Sequence, residues 1–343
     1  MPAPAPGQDE PKEKEINIAV VGAGYVGLTT AACLAHLGHD VVCADVVVPK
    51  VEALNNGVIP IVEDGLGELV REGLDSGRLR FVLGAAQAVT DAEFVFLCVP
   101  TPKAADGSAD MSFIEAAAQE IGPVLKMGTI VLNKSTVPVG SARVVERALG
   151  REDVFVVSNP EFLREGSSVH DFLNPDRIVI GCEDQRAAIR VGEVFNAIKA
   201  PFVVTDPATA ETIKYASNAF LATKVTFINA VANLCEAVGA DIRDVVLGMG
   251  YDKRIGFEFL RPGPGYGGSC FPKDTQALVN IADQAGYDFS LLKGVIALNE
   301  EQHDRVVAKV ARAVGGDLEG ARVAVWGLSF KARTDDLRDS PAL

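Results

Sequence analysis

The chain has 343 residues, of which 48% are apolar and 23% charged, the balance of a soluble globular protein with room for two domains or a little more. Its net charge of -14 argues against nucleic-acid binding, because that binding depends on Lys and Arg neutralising phosphates. No apolar run is long enough to span a bilayer, and residues 1–15 lack the apolar stretch of a signal peptide, so we expect a disordered tail on a cytoplasmic protein without a membrane partner.

Short β-branched runs alternate with helix-like segments as far as Asp206. Near-continuous apolar strands separated by amphipathic helices are typical of a parallel sheet covered on both faces. The sequence therefore predicts an α/β fold with an N-terminal Rossmann-like parallel-sheet domain over 16–206. Its strands are expected within residues 16–24, 41–45, 94–102, 129–136, 154–160, 177–181 and 202–206.

A glycine turn follows the first of these strands and opens a helix. Gly22 would permit the tight turn, Gly24 would let a pyrophosphate approach the backbone, and Gly27 would let helix and strand pack closely. Asp45 ends the next strand, where a carboxylate would accept hydrogen bonds from a ribose and repel a 2′-phosphate. The pattern favours NAD over NADP, with FAD and a ligand-free glycine turn as the alternatives.

The pattern changes after Asp206. No Pro occurs from Thr209 to about Ala240, and apolar residues recur at helical spacing, which predicts one long helix that joins domains or forms a dimer seam. We expect a central helical dimerisation domain over 207–317 and a homodimer. Residues 321–331 read as a new strand, so 318–343 is predicted to begin a second Rossmann-like domain that is truncated at Leu343.

The six cysteines are scattered, and none has the spacing of a metal site, so no metal is predicted. Cys270 differs from the others because it lies in a Gly-rich loop beside Lys273 and Asp274. A nearby cation lowers the pKa of a thiol, and a thiolate can add to an aldehyde. The alternative for Cys270 is a packed loop cysteine without a chemical role.

These residues resemble the UDP-glucose/GDP-mannose dehydrogenase family. Seven matching stretches run in order over nearly all of residues 16–343. They are VVGAGYVGL (20–28), CVPTP (98–102), STVPVG (135–140), NPEFLREGSSVHDFLNPDRIVIG (159–181), IKYASNAFLATKVTFINA (213–230), PGPGYGGSCFPKD (262–274) and GLSFKARTDDLRDSP (327–341).

The resemblance implies a four-electron oxidation of UDP-glucose at C6 to UDP-glucuronate, with two NAD and one water. Cys270 would form the thiohemiacetal and thioester intermediates, and Lys214 and Asn218 would face the C6 oxygen from one side of the long helix. GDP-mannose oxidation remains an alternative. A second alternative is an NAD-binding fragment that is catalytically incomplete, because family members continue beyond the point at which this sequence stops.

The resemblance also carries over individual residues. The catalytic set it implies is Cys270, Lys214, Asn218, Asp274, Glu161 and Thr136. The cofactor contacts are Gly22, Gly24, Tyr25, Val26, Gly27, Asp45, Lys50, Thr101, Thr136, Glu165, Lys273 and Arg338. The substrate contacts are Glu161, Phe162, Leu163, Arg164, Glu165, Lys214, Asn218, Phe259, Leu260, Arg261, Gly263, Gly267 and Lys331. For the charged residues Glu161, Arg164, Glu165 and Arg338, a surface ion-pair network is the alternative.

Overall fold

The structure is a computed structural model that describes residues 15–102, 104 and 108–343. The tail predicted over 1–15 lies outside these residues apart from Glu15. Within them a single sheet of eight strands runs in the order β3-β2-β1-β4-β5-β6-β7-β8. The strands are β1 (Asn17–Val21), β2 (Asp40–Asp45), β3 (Leu79–Leu83), β4 (Phe94–Leu97), β5 (Ile130–Asn133), β6 (Phe155–Ser158), β7 (Ile178–Gly181) and β8 (Phe202–Thr205).

Alternating side chains show that both faces of the sheet are covered. In β1, Ile18 and Val20 belong to one apolar cluster, whereas Ala19 and Val21 belong to another on the opposite face. Because successive side chains of a strand point to opposite faces, this division confirms the predicted two-sided core. The flanking helices are α1 (Tyr25–His36), α2 (Val48–Asn55), α3 (Leu66–Asp75), α4 (Ala85–Val89), α5 (Ser112–Ile121), α6 (Ser141–Leu149), α7 (Ser168–Leu173) and α8 (Gln185–Val194).

Two details of the sheet differ from the sequence prediction. Strand β3 was not predicted from the sequence, because Arg80 interrupts the apolar run of this edge strand. The expectation of a wholly parallel sheet is wrong for the last two strands, because Ser158 of β6 pairs with Gly181 of β7 in antiparallel fashion. The connection over 159–177 therefore stays at the carboxyl edge of β6 instead of crossing back, and this places a long polar loop where a ligand would bind.

The predicted long helix is confirmed as α9 (Pro207–Val238), which has 32 residues. The Asp206 side chain accepts a hydrogen bond from the Thr209 N–H at 2.9 Å and caps its start, and Gly239 in the left-handed conformation ends it. Helices α10 (Ile242–Gly250), α11 (Phe271–Gln284) and α12 (Ser290–Ala313) follow, and α11 and α12 pack on α9 through a third apolar cluster. Over the described part of the chain, no helix combines the length and apolarity needed to cross a bilayer.

The strand predicted at 321–331 is absent: this segment is described in full and has no regular secondary structure. Trp326 is fully exposed, and no strand among the described residues lies beside this segment to form a ladder with it, so an apolar run alone does not make a strand here. Beyond it the chain turns back, and Phe330 lies against the position of Gly268. The division at 207 and 318 into separate domains stays a prediction.

Candidate active site

A cavity of 650 Å³ opens at the carboxyl edge of the sheet, and three segments form most of its wall. These are the 159–177 connection, the first half of α9, and the loop that leads into α11. Its lining includes eight of the residues predicted to contact substrate or to act in catalysis: Glu161, Phe162, Leu163, Arg164, Lys214, Asn218, Phe259 and Cys270. Residues that are far apart in sequence are thus brought together where ligands commonly bind in α/β folds.

Lys214 and Glu161 form a buried ion pair in this wall. The Lys214 Nζ donates to the Glu161 backbone oxygen at 2.7 Å and to its Oε1 at 2.8 Å. The Glu161 Oε2 accepts from the Leu163 N–H at 2.6 Å. Burial acts against the charged form of each side chain, but the partner's charge prevails, so the pKa of Glu161 is lowered and that of Lys214 is raised. Both groups are therefore charged at neutral pH.

Asp274 is fully buried one helical turn into α11 and is held from two sides. The Asn218 Nδ2 donates to its Oδ2 at 2.6 Å, and the Lys273 Nζ donates to its Oδ1 at 2.6 Å. Lys214 and Asn218, four residues apart, both point from α9 into the same region, as their spacing predicted. Lys273, predicted to contact the cofactor, has its charge occupied by Asp274 in this structure.

Cys270 immediately precedes α11, and its environment corrects one expectation from the sequence. The neighbouring Lys273 does not activate the thiol, because it pairs with Asp274. Burial raises the pKa of Cys270 to about 11, and Lys214, not Lys273, is the cation that acts in the opposite direction. The thiol is therefore protonated at neutral pH in the protein without ligand.

The glycine turn has the geometry that a dinucleotide needs. Gly22 has φ +100°, and a Cβ there would lie 2.7 Å from the Cys98 carbonyl oxygen, while a Cβ on Gly27 would meet the Gly22 oxygen at 1.8 Å. A Cβ on Gly24 would meet nothing within 4 Å, so space remains beside the start of α1. These observations confirm the turn and packing roles of Gly22 and Gly27, and they leave Gly24 open to a pyrophosphate.

Asp45 lies at the end of β2, directly against this turn. Its Oδ2 accepts from the Ala23 N–H at 3.0 Å and from the Lys50 Nζ at 2.9 Å. Burial opposes ionisation of Asp45, but the hydrogen bonds from Lys50, Val47 and Ala23 lower its pKa. The carboxylate and Lys50 thus lie where the sequence placed the adenosine end of a dinucleotide.

Thr101 and Thr136, two further predicted cofactor contacts, are in direct contact. The Thr101 Oγ1 donates to the Thr136 backbone oxygen at 2.8 Å.

A second polar cluster lies beside Cys270. The Ser269 Oγ donates to the Glu165 Oε1 at 2.9 Å and lies 3.6 Å from the Cys270 sulfur. The Lys331 Nζ donates to the Glu165 backbone oxygen at 2.9 Å, and the Arg338 guanidinium reaches Glu165 Oε1 at 3.4 Å. Burial raises the pKa of Glu165 to about 7. The structure therefore gathers Glu165, Lys331 and Arg338, all predicted ligand contacts, around Ser269, the residue next to Cys270.

The remaining predicted substrate contacts divide into two groups. Phe162 faces the cavity between two cations, with the Arg177 guanidinium 3.6 Å and the Lys214 Nζ 5.4 Å from its ring centre. Phe259 also lines the cavity. Arg164 lines it as well but is paired with Asp171 at 2.6 Å, the ion-pair alternative considered from sequence.

Leu260, Arg261, Gly263 and Gly267 do not line this cavity. Leu260 is buried, and Arg261 is exposed. The Gly263 N–H donates to Asn229 at 2.8 Å, and a Cβ on Gly267 would lie 2.0 Å from the Asp339 oxygen. The two glycines hold the loop against its neighbours in this structure, and their role toward a ligand stays a prediction.

Sequence reasoning missed three residues that the structure places near the site. Lys134 directly follows β5 and is buried. Its Nζ donates to the Asn159 Oδ1 at 3.0 Å. Burial lowers the pKa of Lys134 to about 8. A charged residue directly after an apolar strand was the available signal. Arg177 and Glu63 gave no such signal, because their neighbours come from distant parts of the chain. No group of three or more His, Cys, Asp or Glu suited to a metal occurs among residues 15–102, 104 and 108–343.

Comparison with known proteins gives one consistent family. The model of the UDP-glucose/GDP-mannose dehydrogenase family, NAD binding domain, matches residues 16–199, and that of the same family's central domain matches residues 208–301. A UDP-glucose 6-dehydrogenase of Rhizobium meliloti is 50% identical over 96% of this chain and 77% of its own length.

Solved structures agree with this assignment. A UDP-glucose dehydrogenase from the archaeon Pyrobaculum islandicum superposes with a TM-score of 0.92 at 42% identity, over 98% of this chain and 79% of its own. A GDP-mannose dehydrogenase from Pseudomonas aeruginosa gives a TM-score of 0.67 at 34% identity, over 95% of this chain and 77% of its own. The chain therefore belongs to the UDP-glucose/GDP-mannose dehydrogenase family and is an NAD-dependent oxidoreductase.

Proposed function

We propose that this protein oxidises UDP-glucose at C6 to UDP-glucuronate, with two NAD and one water consumed per sugar. The observation that carries the proposal is the convergence of Cys270, Lys214 and Asn218 on one cavity, with Asp274 behind them. A thiol serves an oxidation that continues past the aldehyde, since it can hold the carbon covalently between two oxidations. The substrate follows from the relatives, because curated proteins 42–50% identical to this chain are UDP-glucose 6-dehydrogenases.

NAD would be held at the glycine turn and Asp45, and when bound it would supply the hydride acceptor for each oxidation. In the first oxidation the C6 hydroxyl loses its proton to solvent and C6 loses a hydride, which gives the C6 aldehyde. Negative charge develops on the C6 oxygen as its proton leaves. The Lys214 cation and the Asn218 amide project from one face of α9 to stabilise that charge. Glu161 fixes the Lys214 ammonium by two hydrogen bonds, so little reorganisation is needed when the charge develops.

Cys270 then adds to the aldehyde. The sulfur forms a bond to C6, and the thiol proton passes to the aldehyde oxygen, which gives a thiohemiacetal. Loss of a second hydride from C6 and of the hydroxyl proton gives a thioester. A protonated thiol in the resting protein fits this sequence, because the proton leaves only when an acceptor oxygen is present.

Hydrolysis ends the reaction. Water attacks the thioester carbon, the C–S bond breaks, and the products are the carboxylate and the Cys270 thiol. Glu161 is ionised and lies in the cavity wall, so it is the proposed base or water holder. Asp274 is the proposed second carboxylate, held in place by Asn218 and Lys273, and Thr136 lines a small cavity that also touches Lys214.

The alternatives are less well supported. GDP-mannose is disfavoured because the GDP-mannose enzyme is less similar to this chain than the UDP-glucose relatives are, at 34% against 50% identity. A non-catalytic NAD-binding fragment is disfavoured because the cavity brings together the proposed nucleophile, cation and amide.

A substrate panel tests the proposal directly. Purified protein is given NAD with UDP-glucose, GDP-mannose or UDP-N-acetylglucosamine, and NADH and sugar product are quantified. We expect two NADH per UDP-glucose and full conversion to the uronate. Cys270→Ser should form no uronate, whereas Cys182→Ser, at a half-buried thiol outside the cavity, should behave as the wild type. Turnover of GDP-mannose alone, or uronate formation by Cys270→Ser, would contradict the proposal.

We also propose that two copies associate through α9. Phe220, Phe227, Leu234 and Val238 form a stripe of exposed apolar side chains along one side of the helix, between 52% and 67% exposed. The first three are spaced seven residues apart, the period of a helix seam. A second copy would cover this apolar stripe with its own. Light scattering should give a dimer, and Phe227→Glu should give a monomer. A wild-type monomer at micromolar concentration would contradict this proposal.

A further inference from the structure

Glu63 is a buried carboxylate that no step of the proposed reaction uses, yet it contacts both sides of the site. It lies in the loop between α2 and α3. Its Oε2 accepts hydrogen bonds from the Tyr25 hydroxyl and from the Gly166 N–H, the latter at 2.7 Å. Its Oε1 accepts from the Ser168 N–H at 2.8 Å. One side chain therefore joins three parts of the chain.

Two of the partners of Glu63, Tyr25 and Gly166, belong to different ligand sites. Tyr25 is the first residue of α1 and lies within the glycine turn, beside the proposed site of the cofactor pyrophosphate. Gly166 directly follows Glu165, which is linked through Ser269 to the Cys270 thiol. The Gly166 N–H also donates to the Tyr25 oxygen at 3.0 Å, which closes a three-membered set around Glu63.

The surroundings of Glu63 favour a single arrangement of these groups. Burial raises the pKa of Glu63, and the N–H groups of Gly166 and Ser168 act in the opposite direction. Gly166 itself has φ +83°, and a Cβ there would come within 3.3 Å of the Arg333 oxygen. The loop over 62–64 also contacts the C-terminal segment that contains Arg333, since the Val62 N–H lies 3.5 Å from the Asp335 Oδ1. The carboxylate thus sits where the cofactor turn, the substrate loop and the C-terminal segment meet.

We propose that Glu63 is a positioning residue that transmits NAD binding at the glycine turn to the 162–168 loop of the substrate site, through its shared hydrogen bonds with Tyr25, Gly166 and Ser168. The proposal depends on NAD binding and not on which nucleotide sugar the protein oxidises. When the cofactor fixes the start of α1, Tyr25 is fixed with it, and the carboxylate holds the 162–168 loop in the conformation that presents Glu165 to Ser269.

Glutamine is the sharpest substitution at this position. A carboxylate offers acceptors on both oxygens, whereas an amide offers one acceptor and one N–H₂ donor. In Glu63→Gln either the Tyr25 and Gly166 donors or the Ser168 donor must therefore face another donor. Hydrogen bonds to a charged acceptor are strong enough for their loss to change an opening equilibrium by about tenfold to a hundredfold. Glu68→Gln, at an exposed position in the first turn of α3, is the matched control.

Hydrogen–deuterium exchange with NADH as the only ligand tests the proposal without any sugar. In the wild type and in Glu68→Gln, saturating NADH should slow exchange in peptides covering 162–168 by about tenfold or more. In Glu63→Gln the NADH-dependent change should disappear, while exchange in the β1–α1 turn still slows on binding. A purely structural role would raise exchange in 162–168 equally with and without NADH.

Tyr25→Phe provides a second test that removes only one hydroxyl. It should abolish the same NADH-dependent protection even if Glu63→Gln fails to fold. The proposal is overturned if NADH protects 162–168 in both variants as in the wild type, or if it gives no protection in the wild type. Failure of UDP-glucose turnover would count against the proposed substrate alone and would leave this exchange experiment unaffected.

Discussion

Replacing Lys214 with Met should separate the stability of the buried pair from its chemistry. The substitution removes two hydrogen bonds to Glu161, of 2.7 and 2.8 Å, from side chains that are only 4% and 5% exposed. Among the described residues, the Leu163 N–H is then the one hydrogen-bond donor left to the Glu161 carboxylate. Leaving one charge of a buried pair uncompensated costs about 3–5 kcal/mol of unfolding free energy.

The double variant Lys214→Met with Glu161→Gln should regain most of this loss. Removing both charges leaves no uncompensated ion, and such replacements are frequently neutral, so we expect stability within about 1–2 kcal/mol of the wild type. Turnover should stay reduced by about 10²–10³-fold in both variants, because neither has a cation to stabilise charge at the C6 oxygen.

Urea unfolding at neutral pH, followed by circular dichroism, measures the stabilities, and NADH formation measures turnover. The matched control is Lys293→Met, since Lys293 pairs with Asp283 and Asp288 at the surface and its loss should cost no more than about 1 kcal/mol. If the double variant is as unstable as Lys214→Met, the instability does not come from an uncompensated Glu161 charge, and the prediction is wrong.

Three further predictions follow from charges described above. The stability difference between wild type and the Lys214→Met, Glu161→Gln double variant should be constant from about pH 5 to 10, because the folded pKa of Glu161 lies below 4.5 and that of Lys214 lies above 10.5. The pair's contribution is lost only as pH falls through the pKa of Glu161 or rises through the pKa of Lys214. Urea midpoints that show a loss near neutral pH would refute this prediction. Alkylation of Cys270 by iodoacetamide, followed by mass spectrometry of its peptide, should accelerate with pH up to about 11 in the unliganded protein, and a plateau near neutral pH would show that the thiol is not held protonated. Asp45→Ala should raise the affinity for NADP relative to NAD by about tenfold, or about 1.4 kcal/mol, as measured by calorimetric titration, and an unchanged ratio would remove Asp45 from cofactor selection.

Local patterns predicted the parts of this fold that depend on local physics. The near-continuous apolar runs of β1 and β4 indicated a sheet buried on both faces, and the spacing of Gly22, Gly24 and Gly27 indicated the turn. The long helix was predicted from the absence of Pro and from its apolar spacing, and its observed start at Pro207 differs by two residues from the expected one. In each case the constraint acts between residues that are close in sequence.

The remaining features depend on which distant groups meet. Lys273 follows Cys270 closely in the sequence, after Phe271 and Pro272, but it pairs with Asp274, so sequence proximity indicated the wrong cation for the thiol. The pKa of Cys270 is set mainly by burial, which no local pattern reports. Glu63 lies 103 residues from Gly166, and only the folded chain joins them. The apolar run over 321–331 reads as a strand, but without a neighbouring strand it does not form one.

Helix α9 fixes the angle around its axis between the side that carries Lys214 and Asn218 and the side that carries the exposed apolar stripe. Lys214 and Asn218 are buried toward one end, and the apolar stripe begins at Phe220, one position beyond Ala219. Each residue of an α-helix advances the azimuth by about 100°. A single inserted residue between these segments would turn the stripe away by that angle while leaving the cation in place. We therefore expect the number of residues between Asn218 and the stripe to be invariant among relatives that share both surfaces, whereas length changes should accumulate in the loops at the two ends of α9.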